Sequence, residues 1–524
     1  MIYRSPLPDV EIPDVPLTTY VLEGAGEAGD KPALVDGTSG RAITYTGLVH
    51  AVRSLAAGLA DAGLRRGEVL ALVSPNVPEY AVVFHAVASL GAVITTLNPV
   101  YTEREMRHQL LDSGAVMLVA AGPTAPVALA ASEGTAVRAR YLLGEPSGDA
   151  ATVGAVPLAA LFGEAVTDPA PVDPHDVVVL PYSSGTTGGS KGVMLTHRNL
   201  VANIAQTLGA AGLTADDVVI AVLPFFHIYG MQVLMNCGLR SGATVVTLPR
   251  FDLGQFLEAH QRYRVTRSFV APPIVLALAK HPLVDSYDLS AVTMVFSGAA
   301  PLSAELALEA GGRLGCEVVQ GYGMTELSPV SHLTPPGSLV PGSVGVTAPN
   351  TEVRIVDPVS GEDVEPGEDG EVWVRGPQVM KGYLNNPEAT ARALDGESWL
   401  HTGDIGHLDE SGHLFVVDRL KELIKVSGFQ VAPAELEALL LTHPMVADAA
   451  VIGAPAPETG EVPVGFITLR PGAQVTPEEI LGFVAGQVAR YKQLREVRIV
   501  EAIPKSASGK ILRRVLKEEM VARS

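Results

Sequence analysis

Apolar residues at Leu48, Val52, Leu55 and Leu59 recur at helical spacing. They predict a helix that Thr46 caps and Gly63 ends. The run Val69-Leu70-Ala71-Leu72-Val73 reads as a buried strand. A helix across Tyr80–Leu90 and a strand across Ala92–Leu97 continue the alternation. The same rhythm returns at Met117–Ala120, Val177–Tyr182, Val218–Leu223, Thr244–Leu248 and Val292–Phe296. Strands that alternate with helices predict parallel sheets in α/β layers. No repeat of fixed period is visible.

From about residue 340 the texture changes. Glu352-Val353-Arg354-Ile355-Val356 and Glu371-Val372-Trp373-Val374-Arg375 alternate apolar and polar residues between Gly and Asp turns. This pattern predicts a smaller, more antiparallel β region. The last segment carries strand signals at Ala449–Ile452 and Val464–Leu469. Thr476-Pro477-Glu478-Glu479 supplies a capping box with Pro at the first helical position. These elements suffice for a small α+β domain.

Composition narrows the classes. The chain has 524 residues, 47% of them hydrophobic, which is long for one core and predicts two or more globular domains. A net charge of −20 argues against non-specific nucleic-acid binding. It also requires any polyphosphate site to gather its cations locally. The two cysteines, Cys237 and Cys316, exclude a disulfide framework or a Cys-rich metal site and fit a reduced, cytoplasmic setting. No run of about 18 apolar residues occurs, so no membrane insertion is expected. The N-terminus lacks the apolar core of a signal peptide, and Val521-Ala522-Arg523-Ser524 is no peroxisomal address.

The candidate chemistry begins at Ser183-Ser184-Gly185-Thr186-Thr187-Gly188-Gly189-Ser190-Lys191-Gly192, directly after a predicted strand. Glycines let backbone N–H groups approach an anion, and hydroxyls and one lysine add donors and charge, which suits a polyphosphate. It is no Walker A loop: Ser190 stands where that loop needs Gly, and Gly192 where it needs Ser or Thr. A flexible surface loop could share the composition, but the order of residues is more specific. It resembles the phosphate loop of the AMP-forming adenylating enzymes, which include acyl-CoA synthetases and peptide-synthetase adenylation domains. One departure is Ser190, where proline is commonest in that family.

Further stretches resemble the same family in the same order: Gly321-Tyr322-Gly323-Met324-Thr325-Glu326, Trp399 to Asp404, Asp418 to Lys425, and Pro504 to Ile511. The resemblance implies an α/β fold with a large N-terminal domain over 1–418, built of layered α/β subdomains with a small β-rich subdomain at about 340–418. It implies a small mobile α+β C-terminal domain over 422–524 and a hinge at 419–421 containing Lys421.

It also implies roles. Activating a carboxylate brings two anions together, so cations and fixed dipoles must cancel their repulsion. Lys510 would bridge the acid and the α-phosphate, Thr325 would bond the α-phosphate, and Glu326 would ligate Mg²⁺. Ser183, Ser184, Gly185, Thr186, Thr187, Gly188 and Lys191 would hold the other phosphates. Gly321, Tyr322, Gly323 and Met324 would border the adenine, Asp404 and Arg419 would take the ribose, and Lys425 would lie near the nucleotide. After adenylation the C-terminal domain would rotate, bringing Ser427, Gly428, Phe429 and Gln430 to coenzyme A, with Arg250 and Lys425 as replacement cations for the family lysine missing at Ser427. ATP, Mg²⁺ and coenzyme A are the implied cofactors. A lysine acetyltransferase acting on Lys510 is a partner the resemblance admits, since removing that charge should block adenylation.

Within the family, Pro181 to Ser184, Pro224 to Gly230, Gly376 to Tyr383 and Lys425 to Pro433 resemble the 4-coumarate–CoA ligase branch. The acid would meet His227, Tyr229, Phe296, Ser297, Gly298, Ala299, Gly321, Gly323, Pro329 and Val330. Phe296 replaces a lysine common in plant members, which favours cinnamate-like or other apolar acids. Alternatives are a medium-chain fatty acyl-CoA ligase, a stand-alone adenylation enzyme loading a carrier protein, or a silent nucleotide-binding protein.

Overall fold

A computed structural model of the chain describes residues 1–144, 154–164, 171–183, 190–426, 429–456, 458–506 and 509–522. Among these, four sheets organise the molecule. The first takes its centre from Val177–Ser183, Val93–Leu97, Val69–Val73, Met117–Ala121 and Ala139–Leu143, paired in parallel. Lys191–Thr196 and then Gly382–Tyr383 extend it as antiparallel edge strands. The second sheet is parallel from Glu317–Gly323 through Met294–Ser297, Arg267–Val270, Val218–Ala221 and Thr244–Thr247 to Pro32–Asp36. The predicted α/β layering is thus the architecture.

The helices fit their sequence signals with small shifts. The first amphipathic helix runs Tyr45–Asp61, and its cap is Thr44 rather than Thr46: the Thr44 side chain accepts from Gly47 N while its backbone is extended. Leu48, Leu55 and Leu59 on its inner face are wholly buried. The helix after the phosphate-loop hairpin starts at His197, where Thr196 and Asn199 form a capping box. One large core binds both sheets, and a second, smaller one lies under Ala71, Leu97 and Leu118.

The β-rich region is an antiparallel sheet of Glu352–Val356, Gly370–Arg375, Leu400–Leu408 and Leu414–Arg419. It also recruits Tyr3–Arg4 from the N-terminus, which periodicity did not reveal. The last sheet is built on the long hairpin Val446–Ala456 and Gly460–Leu469, flanked by Ile424–Val426, Phe429–Val431 and Glu496–Ile499. Helices Pro433–Thr442 and Pro477–Ala485 cover one face, where Leu436, Leu440, Ile480 and Val484 are buried. Helix Arg513–Ala522 covers the other, against Ala450, Ile452 and Phe466. Each face therefore has its own apolar core, separate from the large one. No described helix is long and apolar enough to cross a membrane.

Candidate active site

The candidate residues converge where Ser183 and Gly323 end strands of the two large sheets and where the antiparallel sheet comes alongside. This is the expected place for a ligand in an open α/β sheet, because loops at strand ends can present backbone donors. Ser184, Gly185, Thr186, Thr187 and Gly188 lie outside the described residues, as do Ser427 and Gly428.

Asp404 sits on Leu400–Leu408, directly opposite Arg419 on the neighbouring strand. Its Oδ1 lies 3.2 Å from Arg419 Nε, and its Oδ2 accepts from the Tyr322 hydroxyl at 2.6 Å. Burial pushes the Asp404 carboxyl above the usual carboxylate range, and the Arg419 guanidinium works against that shift. Burial and the Asp404 charge raise the Tyr322 phenol, so it stays a donor. Asp404 thereby keeps a fixed carboxylate with lone pairs left for further hydroxyls.

Thr325 and Glu326 form a short 3-10 turn after Gly323, and both are buried. Glu326 Oε1 accepts from the Tyr383 hydroxyl at 2.8 Å and from Ser183 Oγ at 3.2 Å. No group of three His, Cys, Asp or Glu side chains among the described residues could hold a metal alone. A single buried carboxylate fits Mg²⁺, which typically takes most of its remaining ligands from phosphates and water. Lys191 Nζ stands 4.9 Å from the centre of the Tyr383 ring.

Lys510 is half-buried beside these groups. The desolvation lowers its pKa to about 8, Arg419 adds repulsion, and Glu422 and Asp404 partly offset both. The lysine loop turns at Gly509, whose φ is +85°. A Cβ at Gly509 would lie 3.1 Å from the Cβ of Ala271, so the loop rests on the start of the large-domain helix Pro272–Lys280. Both ends of the loop are tied to the long hairpin. Lys505 Nζ is 2.6 Å from Asp448 Oδ2, and Arg513 Nε donates to Val451 O at 3.2 Å. Arg513 also pairs with Glu437 at 2.8 Å and with Glu422 at 3.0 Å. Sequence reading missed this clamp, since Glu422, Glu437 and Arg513 look like surface charges in the linear chain.

Profiles built from known families match the chain twice: the AMP-binding enzyme family over residues 22–384, and the AMP-binding enzyme C-terminal domain over 435–510. The chain belongs to the AMP-binding enzyme family. The rice (Oryza sativa subsp. japonica) protein named 4-coumarate–CoA ligase 5 is 44% identical over 532 residues, covering 99% of this chain and 98% of that one. The tobacco (Nicotiana tabacum) 4-coumarate–CoA ligase 2 is 42% identical, covering 100% and 98%. Among solved structures, the anthranilate CoA ligase AuaEII in complex with anthranoyl-AMP superposes with a TM-score of 0.91, at 25% identity and 99% coverage of both chains. ATP-bound MatB from Rhodopseudomonas palustris gives 0.84 at 29% identity, covering 96% and 98%.

Against this family background the apolar pocket candidates gain definition. His227 is partly buried, and burial with the nearby Lys510 charge pushes it to about 4, so the ring is neutral. Its Nδ1 accepts from Tyr229 N at 3.3 Å, which assigns the ring proton to Nε2. Tyr229 opens a π-helical stretch, Tyr229–Cys237, and its hydroxyl donates to Phe296 O at 3.3 Å. That hydroxyl is already engaged. Phe296 is buried and tilts against Phe269 with ring centres 5.6 Å apart.

The glycines near it serve close packing rather than open space. A Cβ at Gly321 would lie 2.6 Å from the Phe296 ring, and one at Gly323 would lie 2.0 Å from Pro329 O. A Cβ at Gly298 would meet the Tyr229 ring at 3.0 Å. Pro329 and Val330 are buried behind, Ala299 is exposed with φ +73°, and Ser297 is buried with an Oγ that finds no partner among the described residues. Phe225 is pure core, wholly buried edge-on to Tyr80.

The coenzyme A candidates lie elsewhere. Lys425 and Gln430 are exposed cross-strand partners on the edge of the C-terminal sheet, and Phe429 is 56% exposed, stacked on Tyr491 at 4.6 Å. Arg250 is exposed beyond the strand Thr244–Thr247. Lys421 is exposed in the turn between Arg419 and Ile424.

Proposed function

We propose that this AMP-binding enzyme is an ATP-dependent acid–CoA ligase that activates a cinnamate-like aromatic acid. The observation that carries the reading is the half-buried position of Lys510, within electrostatic reach of His227 and of the Asp404–Arg419 pair. A cation fixed there can meet two anions at once. The acid carboxylate attacks the α-phosphorus of ATP, and pyrophosphate leaves. Lys510 offsets the charge of the two reacting anions, and Thr325 bonds the α-phosphate. Asp404 accepts from the ribose hydroxyls, with Tyr322 and Arg419 holding it. The phosphate loop with Lys191 binds the departing phosphates. Glu326 would hold Mg²⁺, which supplies positive charge to the phosphates when bound.

The His227 ring, neutral with its proton on Nε2, orients the acid. The ring of the acid would lie against Tyr229, Phe296, Gly298 and Val330, whose apolar surfaces suit a flat ring. An apolar wall at Phe296 disfavours a strongly hydrated ring substituent, which is why the acid is placed with the cinnamates.

The second step follows a domain rotation. Residues 1–418 form one body, 422–524 the other, and 419–421 with Lys421 the hinge. The separate apolar cores of the C-terminal sheet support such a division. The present arrangement presents the lysine loop to the site and leaves Lys425, Phe429 and Gln430 exposed, as adenylation requires. After rotation the coenzyme A thiol attacks the acyl-adenylate carbonyl. The C–S bond forms, the bond to AMP breaks, and the thiol proton goes to solvent.

The test is AMP release from Mg-ATP with a panel of acids, with and without coenzyme A. Coenzyme-dependent turnover of cinnamate-type acids, lost in Lys510→Ala, is the expected result. Turnover confined to unbranched aliphatic acids would overturn the aromatic assignment. Adenylation without any coenzyme-dependent product would replace coenzyme A by a carrier protein as acceptor.

A further inference from the structure

Tyr383 touches both Glu326 and Lys191, and so joins two separate parts of the proposed phosphate site. It lies on the two-residue edge strand Gly382–Tyr383, paired across to Val193 and Met194. The segment is held closely. Lys381 N donates to Met194 O at 3.0 Å, Leu384 N to Gly192 O at 2.8 Å, and Tyr383 N to Thr390 Oγ1 at 2.9 Å. Gly382 has φ +146°, and a Cβ there would meet Thr390 at 2.9 Å, so only glycine permits this approach. The backbone thus fixes where the Tyr383 side chain goes.

That side chain then does two things. Its hydroxyl donates to Glu326 Oε1 at 2.8 Å, the oxygen that also accepts from Ser183 Oγ. Both donors fall on one carboxylate oxygen, while Oε2 accepts no hydrogen bond from the described residues. Two donors on one side fix the carboxylate rotation and leave the other oxygen for a cation. Its ring face sits under Lys191 Nζ, a cation–π contact that helps to hold the ammonium in place. The same stretch grips the backbone of Glu326, since Met380 N donates to Glu326 O at 2.9 Å.

We infer that Tyr383 is the positioning residue that aims Glu326 Oε2 at a divalent cation and sets Lys191 over the phosphates beside it. This inference rests on the reading of Glu326 as the metal carboxylate. Tyr383 touches neither substrate nor metal; it acts through Glu326 and Lys191. Phenylalanine at 383 would keep the ring beneath Lys191 and lose only the donor to Glu326, which separates the two contributions.

The experiment is calorimetric binding of ATP, without acid and therefore without turnover, in the presence and absence of Mg²⁺. It compares the wild type with Tyr383→Phe, Tyr383→Leu and Glu326→Gln. Tyr383→Phe is expected to reduce the Mg²⁺-dependent gain in affinity roughly tenfold, the scale of a hydrogen bond to a charged group, and to leave Mg²⁺-free binding unchanged. Tyr383→Leu is expected to weaken Mg²⁺-free binding as well, because Lys191 loses the ring. Glu326→Gln is expected to abolish the Mg²⁺-dependent gain. If Glu326→Gln keeps that gain, the metal reading of Glu326 fails. If Glu326→Gln loses it while Tyr383→Phe matches the wild type, or weakens both conditions equally, the positioning role of Tyr383 is overturned.

Discussion

Asp418 accepts a hydrogen bond from Ala434 N at 3.0 Å, so the last residue before the proposed hinge caps a helix beyond it. Helix Pro433–Thr442 opens with a proline, which has no N–H, and Ala434 brings one of the unsatisfied first-turn donors. The other Asp418 oxygen accepts from Arg419 N at 2.7 Å. A cap of this kind contributes about 1 kcal/mol. Rotation about the hinge would have to break it, so the bond favours the present orientation. Asp418→Ala is expected to slow pyrophosphate exchange about fivefold, the rate equivalent of that loss. Reaction of a supplied acyl-adenylate with coenzyme A should keep its rate or gain. Equal loss in both half-reactions would show that the contact merely stabilises the fold.

The second prediction concerns pH. Lys510 is held at about 8, against an ordinary value of 10.5. In the free enzyme the cation is present below about 8 and is lost above it, so kcat/KM for adenylation should fall about tenfold per pH unit on the alkaline side. Two bound anions stabilise the charge, so the same limb in kcat should lie at higher pH. The stability effect has the opposite sign. Between about 8 and 10.5 the unfolded chain binds this proton and the folded one does not, so the Lys510 contribution to stability rises with pH while activity declines. His227, at about 4, is neutral through this range and adds no limb near neutrality. Rate profiles and thermal melts over the same buffers check both signs. A kcat/KM profile flat to pH 10 would contradict the placement of Lys510.

Much of this site was legible in the chain because its chemistry sits in contiguous motifs. Asp404, Glu326, Arg419 and Lys510 each lie within a short run whose residue order is specific, and their approach in space follows from strands ending at one place. What escaped was non-local. Arg513, Glu437 and Glu422 come from three separated segments, and only the fold makes them one ion-pair cluster around the buried Glu437, which burial raises to about 7. Tyr383 belongs to a stretch already similar to the ligase branch, yet nothing linear says that its hydroxyl reaches Glu326. Thr44 and Thr46 flank Tyr45, whose hydroxyl bonds Ala243 O at 2.7 Å; helical periodicity cannot choose between the two threonines. Tertiary burial of Tyr45 goes with a helix start two positions before the one a Thr46 cap would give.

The third prediction tests the wall of the acid slot. Phe296 lies between Gly321 and Phe269, and its carbonyl holds the Tyr229 hydroxyl. Its side chain can be truncated without touching that backbone bond, so Tyr229 should keep its place. Phe296→Ala removes a buried ring and should cost about 3 kcal/mol in stability. The same change opens space beside Gly321, where a ring substituent of the acid can enter. Acids with bulkier ring substituents should therefore gain in kcat/KM relative to cinnamate, while cinnamate itself loses contact and its KM rises. The KM for ATP should not move, since Asp404, Arg419 and Glu326 are untouched. Measuring KM for both substrates across a series of ring-substituted acids separates these effects. A uniform loss over the series, with KM for ATP rising in step, would mean that Phe296 supports the fold of the site rather than the shape of the slot.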